Sequence, residues 1–142
     1  MIKIRECSRD DYPVLVEIWE RAVRASHDFL SEDDIQEIKG KLAGEYFSNV
    51  ELLCCDVDGT VAGFIGVAGE TVEMLFIDAD NRGKCYGSML IDTAIRDGAR
   101  FVDVNEQNPA ALNFYKAKGF KIIGRSETDE AGRPFPILHL SL

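Results

Sequence analysis

Two segments of this chain carry residues whose types and spacing could do chemistry. The first runs from Leu75 to Leu90 and reads Leu-Phe-Ile-Asp-Ala-Asp-Asn-Arg-Gly-Lys-Cys-Tyr-Gly-Ser-Met-Leu. An apolar, strand-like run ends at Ile77, a basic loop holds Arg82, Gly83 and Lys84, and helical spacing begins near Cys85. A helix start presents unpaired backbone N–H groups and the positive end of the helix dipole, which suits phosphate oxygens. Gly83 and Gly87 let backbone approach a ligand closely, and Arg82 and Lys84 add cationic charge to an acidic chain. An ordinary strand-to-helix turn has a similar composition, so this segment alone leaves both readings open. The second segment is Asn105 to Phe120, where Asn108 and Tyr115 stand two helical turns apart, ~10 Å along one face. An extended ligand on that face would meet a phenol at one end. Equally, Asn108 can simply cap the helix and Tyr115 simply pack.

Other chemistries are poorly supplied. The cysteines Cys7, Cys54, Cys55 and Cys85 form no CxxC pair and show no zinc spacing. With only two histidines, His27 and His139, no metal site is expected. Cys54 and Cys55 sit in an apolar run and read as core residues, reduced as in a cytoplasm. A net charge of −9 opposes nonspecific nucleic-acid binding and favours cationic partners. The apolar runs fall short of the ~18 residues of a membrane span, and the N-terminus lacks a signal-peptide apolar region. The expectation is a cytoplasmic chain.

The elements that must position the two segments follow from periodicity and punctuation. Ile2 to Cys7 alternates as a strand, and roughly residues 11–25 repeat apolar positions at helical spacing, with Trp19 expected in the core. Ser31-Glu-Asp-Asp34 reads as a capping box for a second helix. Glu51 to Val57 and Thr60 to Ala68 flank Asp58-Gly59, a hairpin signal, and Thr71 to Ile77 makes a further strand. A helix from about 85 to 97 and a short strand at 101–104 follow. Asn108-Pro109 starts a helix as cap and first-turn proline, and Gly119 closes it. Phe120 to Gly124 and Phe135 to Leu140 are the last strands, and Pro136 is expected to confine the final one to an edge or bulge. The order βααβββαβαββ, with no linker or repeat, gives one α/β domain over residues 1–142.

In this order and separation the two segments resemble the GNAT family of acetyl-CoA-dependent N-acetyltransferases. Leu75-Phe-Ile-Asp78 followed by Arg82-Gly83 is similar to the family's fourth strand and pyrophosphate loop. Asn108 with Phe114-Tyr115 and Gly119-Phe120 is similar to its later CoA segment. Trp19, Ser26 to Leu30, Asn105 to Asn108 and the stretch from Gly124 to Pro134 resemble a subgroup of small bacterial members. The family's loop pattern is Gln/Arg-x-x-Gly-x-Gly/Ala, whereas this chain reads Arg82-Gly-Lys-Cys-Tyr-Gly87. Cys85 thus stands where a glycine is expected, and its side chain crowds the pyrophosphate's approach.

The resemblance implies a GNAT-like fold of mixed α/β (α+β) type, a central mixed sheet of about seven strands flanked by four helices. It implies that the fourth strand and the strand at 101–104 splay apart and admit acetyl-CoA, the cosubstrate. Backbone of Leu75, Phe76 and Ile77 would bind acetyl-pantetheine. Gly83, Lys84, Cys85, Tyr86, Gly87 and Ser88, with Arg82 beside them, would hold the pyrophosphate, and Asn108 and Tyr115 would lie along the cofactor. Tyr115 matches the tyrosine that protonates the departing thiolate. A base is needed for a lysine-like amine, whose pKa is ~10.4. Glu73 shares a face with Leu75 and Ile77 by period two, and Asp103 is the acidic residue on the opposing strand. Either could act through water, and either could be a solvated strand carboxylate. His27 and Phe29 lie where the family builds its acceptor pocket; His27 could be base, substrate contact or plain loop residue. Arg125 and Arg133 could bind an acidic acceptor, against the net charge. The partner implied is a small-molecule or peptide amine, with neither nucleic acid nor membrane, and a homodimer is left open. A second reading is a non-catalytic domain that binds or senses CoA through a degenerate loop.

Overall fold

A computed structural model describes residues 1–26, 29–81 and 83–142. In chain order the elements are β1 (Ile2–Glu6), α1 (Tyr12–Ser26), α2 (Glu32–Lys41), β2 (Glu51–Val57), β3 (Thr60–Ala68) and β4 (Thr71–Ile77). They continue with α3 (Tyr86–Arg96), β5 (Phe101–Asn105), α4 (Pro109–Ala117), β6 (Lys121–Ser126) and β7 (Ile137–Ser141). The local signals act as expected. Ser31 accepts from the Asp34 N–H and closes the capping box of α2. Asn108 accepts from the Ala111 N–H at 3.2 Å, with Pro109 in the first turn of α4. Asp58 and Gly59 both take positive φ in the β2–β3 turn.

The strands form one sheet in the order β1-β2-β3-β4-β5-β7-β6. All neighbours are antiparallel except β4 and β5, which run parallel and pair only at Thr71–Phe101 and Val72–Val102. On one face, Leu90 and Ile91 of α3 and Tyr115 of α4 pack against Ile65, Val72, Val102 and Leu140. On the other, Leu15, Ile18 and Trp19 of α1 and Ile35 of α2 pack against Cys54 and Phe64. Trp19, Cys54 and Cys55 are buried as expected. Gly63 on β3 faces Ile77; a Cβ there would lie 2.5 Å from Ile77 Cδ1 and 2.9 Å from the Phe76 carbonyl, so this pairing requires glycine.

Two expectations are corrected. The final strand is not an edge, because β7 lies between β5 and β6, and the irregularity in its pairing falls on β6 between Ile122 and Gly124, away from Pro136. Pro136 precedes the ladder, and its carbonyl accepts from the Glu106 N–H, so its missing donor costs nothing. Secondly, Glu73 does not share the face of Leu75 and Ile77 by simple alternation. Gly66 pairs Met74 while Val67 pairs Val72, so Glu73 is an extra, unpaired residue at a bulge. Val72, Leu75 and Ile77 consequently join one core cluster and Met74 and Phe76 the other.

An ionic cluster ties β1 to β2 and to the turn before α1. Arg5 donates to both Asp11 oxygens at 3.0 Å and, through Nε, to Asp56 at 2.9 Å. The Arg5 guanidinium and the Ser8 N–H hold the Asp11 carboxyl down to about 2. A depressed carboxyl contributes stability above its unfolded value and loses it as pH falls through the folded one. Thermal melts should therefore show about 2 kcal/mol lost between pH 5 and pH 2 from this cluster. The Arg5→Ala variant should be less stable at pH 7 and lose less on acidification; equal acid sensitivity in both chains contradicts the assignment.

Candidate active site

The bulge at Glu73 and the separation of β4 from β5 come at the same level of the sheet. Beyond Val72–Val102 the two strands diverge, and a cavity of about 390 Å³ fills the gap. Its walls are Glu73 to Ile77 of β4, Val102 to Asn105 of β5, Asn108, Phe114 and Tyr115 near or on α4, and Gly87 of α3. Ala22 and Ser26 of α1 also reach it. Asp78 N–H donates to the Ala62 carbonyl, and hydrogen-bonded pairs alternate along an antiparallel ladder. The peptide groups of Phe76 thus face β3, while those of Leu75 and Ile77 face the gap. Of the three backbone positions expected to bind a ligand, Phe76 is excluded by this alternation.

The helix end lies at one mouth of the cavity. The first hydrogen bond of α3 runs from the Met89 N–H to the Cys85 carbonyl at 3.1 Å, and Tyr86, Gly87 and Ser88 precede it. Their N–H groups therefore have no partner within the helix. The Tyr86 side chain turns into the core, so this residue offers a ligand its backbone alone. Gly83 takes φ 79°, and Lys84 Nζ, 3.5 Å from Asn81 Oδ1, is exposed. Arg82 lies outside the described residues. Behind the loop, Arg21 of α1 grips Asp78 through two hydrogen bonds of 2.9 and 2.8 Å, fixing the end of β4.

Cys85 is the N-cap of α3 and takes φ 65°, ψ 15°. That left-handed conformation costs a non-glycine residue roughly 1–2 kcal/mol. The expected glycine is thus explained by the backbone itself, and the cysteine is strained here. Cys85→Gly should raise stability by about 1 kcal/mol, ~2–4 °C in melting temperature. It should also tighten CoA a few-fold, because the exposed thiol no longer stands at the helix end. Melting curves and calorimetry check both; a destabilised glycine variant contradicts the account.

Tyr115 is 6% exposed and lines the cavity, its ring edge-on to Phe114 and Phe120 at 5.2 and 5.7 Å. Burial pushes the phenol above its ordinary value, so it keeps its proton. Glu73 is pushed upward by partial burial, then by the negative charges of Glu130 and Asp103. Asp103 stands on the opposite wall and accepts from the His139 ring at 2.7 Å. Both candidate bases thus reach the same cleft.

A second cavity, about 450 Å³, shares Glu73, Met74 and Phe76 with the first, so the two adjoin at β4. Trp19, Ile38, Leu42, Tyr46 and Val50 give it apolar walls, and Glu45, Glu73 and Glu130 give it negative charge. Glu130 belongs to the segment 127–136, which folds back onto α2. There Arg133 meets Asp34 at 3.3 Å, Glu37 at 2.8 Å and Asp129 at 3.3 Å, and Phe135 meets Phe29 at 5.4 Å between ring centroids. Phe29 therefore braces that segment and lines neither cavity. His27 lies outside the described residues. Arg125 and Arg133, which could bind an acidic acceptor, are engaged with carboxylates of this chain and line neither cavity. Arg133 is spent on three carboxylates, and Arg125 donates to Glu106 at 2.6 and 3.2 Å. Sequence reasoning missed Glu45 and Glu130, whose roles depend on how the chain folds back, and Asn105, which lies in the quoted Asn105–Asn108 stretch.

A parallel pair that splays beside a bulge, with a helix N-terminus at the mouth and a buried tyrosine inside, defines an acyltransferase of one fold class. Residues 18–139 match the model of the acetyltransferase (GNAT) domain, and the chain belongs to that family. It is an N-acetyltransferase that takes its acetyl group from acetyl-CoA. The chain is 39% identical over 142 residues to peptidyl-lysine N-acetyltransferase YjaB of Salmonella typhimurium, covering 99% of this chain and 97% of that one. It is 37% identical to the protein of that name from Escherichia coli K12, with the same coverage. The solution structure of apo YjaB from Escherichia coli superposes with a TM-score of 0.91 at 36% identity, covering 99% and 97% of the two chains. No helix among the described residues is long and apolar enough to cross a membrane, and none of their side chains form a metal-binding group.

Proposed function

We propose that the acceptor is the ε-amine of a lysine in a peptide or protein and that it attacks the thioester directly. The observation that carries this reading is the second cavity, an apolar passage ending at Glu73 with three carboxylates and, among the described residues, no cation. Its walls suit the lysine methylenes and its charge suits the ammonium group. The net charge of −9 and the peptidyl-lysine activity in the names of the relatives point the same way.

Acetyl-CoA supplies a thioester carbonyl open to amines and a thiolate leaving group. The N–H groups of Tyr86, Gly87 and Ser88, with Gly83 and Lys84 beside them, suit its pyrophosphate. Asn108 and the gap-facing peptides of Leu75 and Ile77 suit the pantetheine arm, and the same peptides can donate to an oxygen gaining negative charge. Glu73 takes the proton from the incoming ammonium, Tyr115 gives a proton to the departing thiolate, and the second proton shed by the nitrogen as the amide forms restores the tyrosine. Amine panels of lysine peptides, polyamines, aminoglycosides and free amino acids test the reading. Turnover on lysine peptides well above the rest is expected. Preference for an acidic or small-molecule amine overturns it, and CoA binding without turnover on any amine supports a sensing domain instead.

A further inference from the structure

Across the cleft from Glu73, three side chains on three adjacent strands form one hydrogen-bonded chain. Asp103 of β5 lines the cleft, and its Oδ1 lies 2.7 Å from Nδ1 of His139 on β7. Nε2 of the same ring lies 2.7 Å from Oγ of Ser126 on β6. Register brings them together. Asp103 pairs His139 across β5 and β7, and His139 pairs Gly124, two residues before Ser126. Gly124 lies directly beneath the ring: a Cβ there would sit in ordinary contact with His139 Cδ2 at 3.6 Å.

The direction of the chain follows from what each group can do. An ionised carboxylate only accepts, so the proton between Asp103 and His139 belongs to Nδ1. In the neutral ring Nε2 is then bare, and the Ser126 hydroxyl donates to it. Each donor therefore points toward the cleft, and the ring is fixed at both nitrogens. Oδ2 of Asp103 has no partner among the described residues, so it is the oxygen left for a ligand.

We propose that Asp103 Oδ2 accepts an N–H hydrogen bond from the acceptor amine and aims it, and that His139, fixed by Ser126, is the positioning residue that aims Asp103. This rests on the lysine reading above. Asp103 takes no proton; the proton lost by the ammonium goes to Glu73, and the free amine stays held for attack. The two carboxylates thus divide the work, one orienting and one deprotonating.

Steady-state kinetics with a lysine peptide and acetyl-CoA test the assignment. Asp103→Asn should raise the peptide KM by about tenfold and leave the acetyl-CoA KM unchanged. His139→Leu should raise the peptide KM several-fold, and His139→Asn, which keeps a donor at the Nδ1 position, should recover most of the loss. In the Asp103→Asn background His139→Leu should add nothing. In the free protein, imidazole 15N shifts should place the proton on Nδ1. An unchanged peptide KM in His139→Leu, an equal further loss in the Asp103→Asn background, or a proton on Nε2 overturns the positioning role. A wild-type chain inactive on every lysine peptide instead overturns the lysine reading and this role for Asp103 together.

Discussion

Glu73→Gln should lower turnover on a lysine peptide at pH 7 by about 10²–10⁴-fold, the range general-base catalysis supplies. The substitution keeps the size of the side chain and removes its ability to take a proton. A lysine ammonium with a pKa of ~10.4 then loses the group that takes its proton near neutrality. The upward push on Glu73 from partial burial, Glu130 and Asp103 favours this role, since a base works best with a pKa near the operating pH. In the wild-type chain kcat/KM should fall on the acid side as Glu73 is protonated. In the glutamine variant that limb should vanish, and the deficit should shrink as pH approaches the amine's own value. A full rate at pH 7 in the glutamine variant removes Glu73 from the mechanism.

Tyr115→Phe should lower kcat at least tenfold while CoA affinity stays within a few-fold of wild type. The hydroxyl is lost, but the ring, packed between Phe114 and Phe120, remains. Burial keeps the wild-type phenol protonated, as an acid for the thiolate must be. The loss should therefore appear in kcat with poor thiol leaving groups and spare the binding step. Calorimetry with CoA and rates with acetyl-CoA separate the two effects. Unchanged kcat excludes Tyr115 as the acid.

Much of this site was legible in the residues because its parts are local. Asn108-Pro109, Ser31 with Asp34, and Asp58-Gly59 each dictate a cap or turn within a few positions, so the element order follows from them. The helix start after Ile77 and the spacing of Asn108 and Tyr115 are local too. What depends on strand neighbours was hidden. Pro136 signals an edge only if its strand lies at one, and β7 inserts between β5 and β6. Period two places Glu73 beside Leu75 only without a bulge, and that bulge comes from how β3 pairs β4. Arg133 looked like a free cation until segment 127–136 folded onto Asp34 and Glu37. His139 carried no motif at all; its link to Asp103 and Ser126 exists only in the register of three strands.

Intact-mass spectra of the chain and a lysine peptide, recorded through a reaction with acetyl-CoA while released thiol is counted, test the central claim most directly. The account predicts one acetyl group on the lysine ε-nitrogen for each thiol released, with the mass of the chain unchanged at every time point. Thiol released without acetylated peptide, or an acetyl group that first accumulates on the chain, would contradict direct transfer in the cleft between β4 and β5.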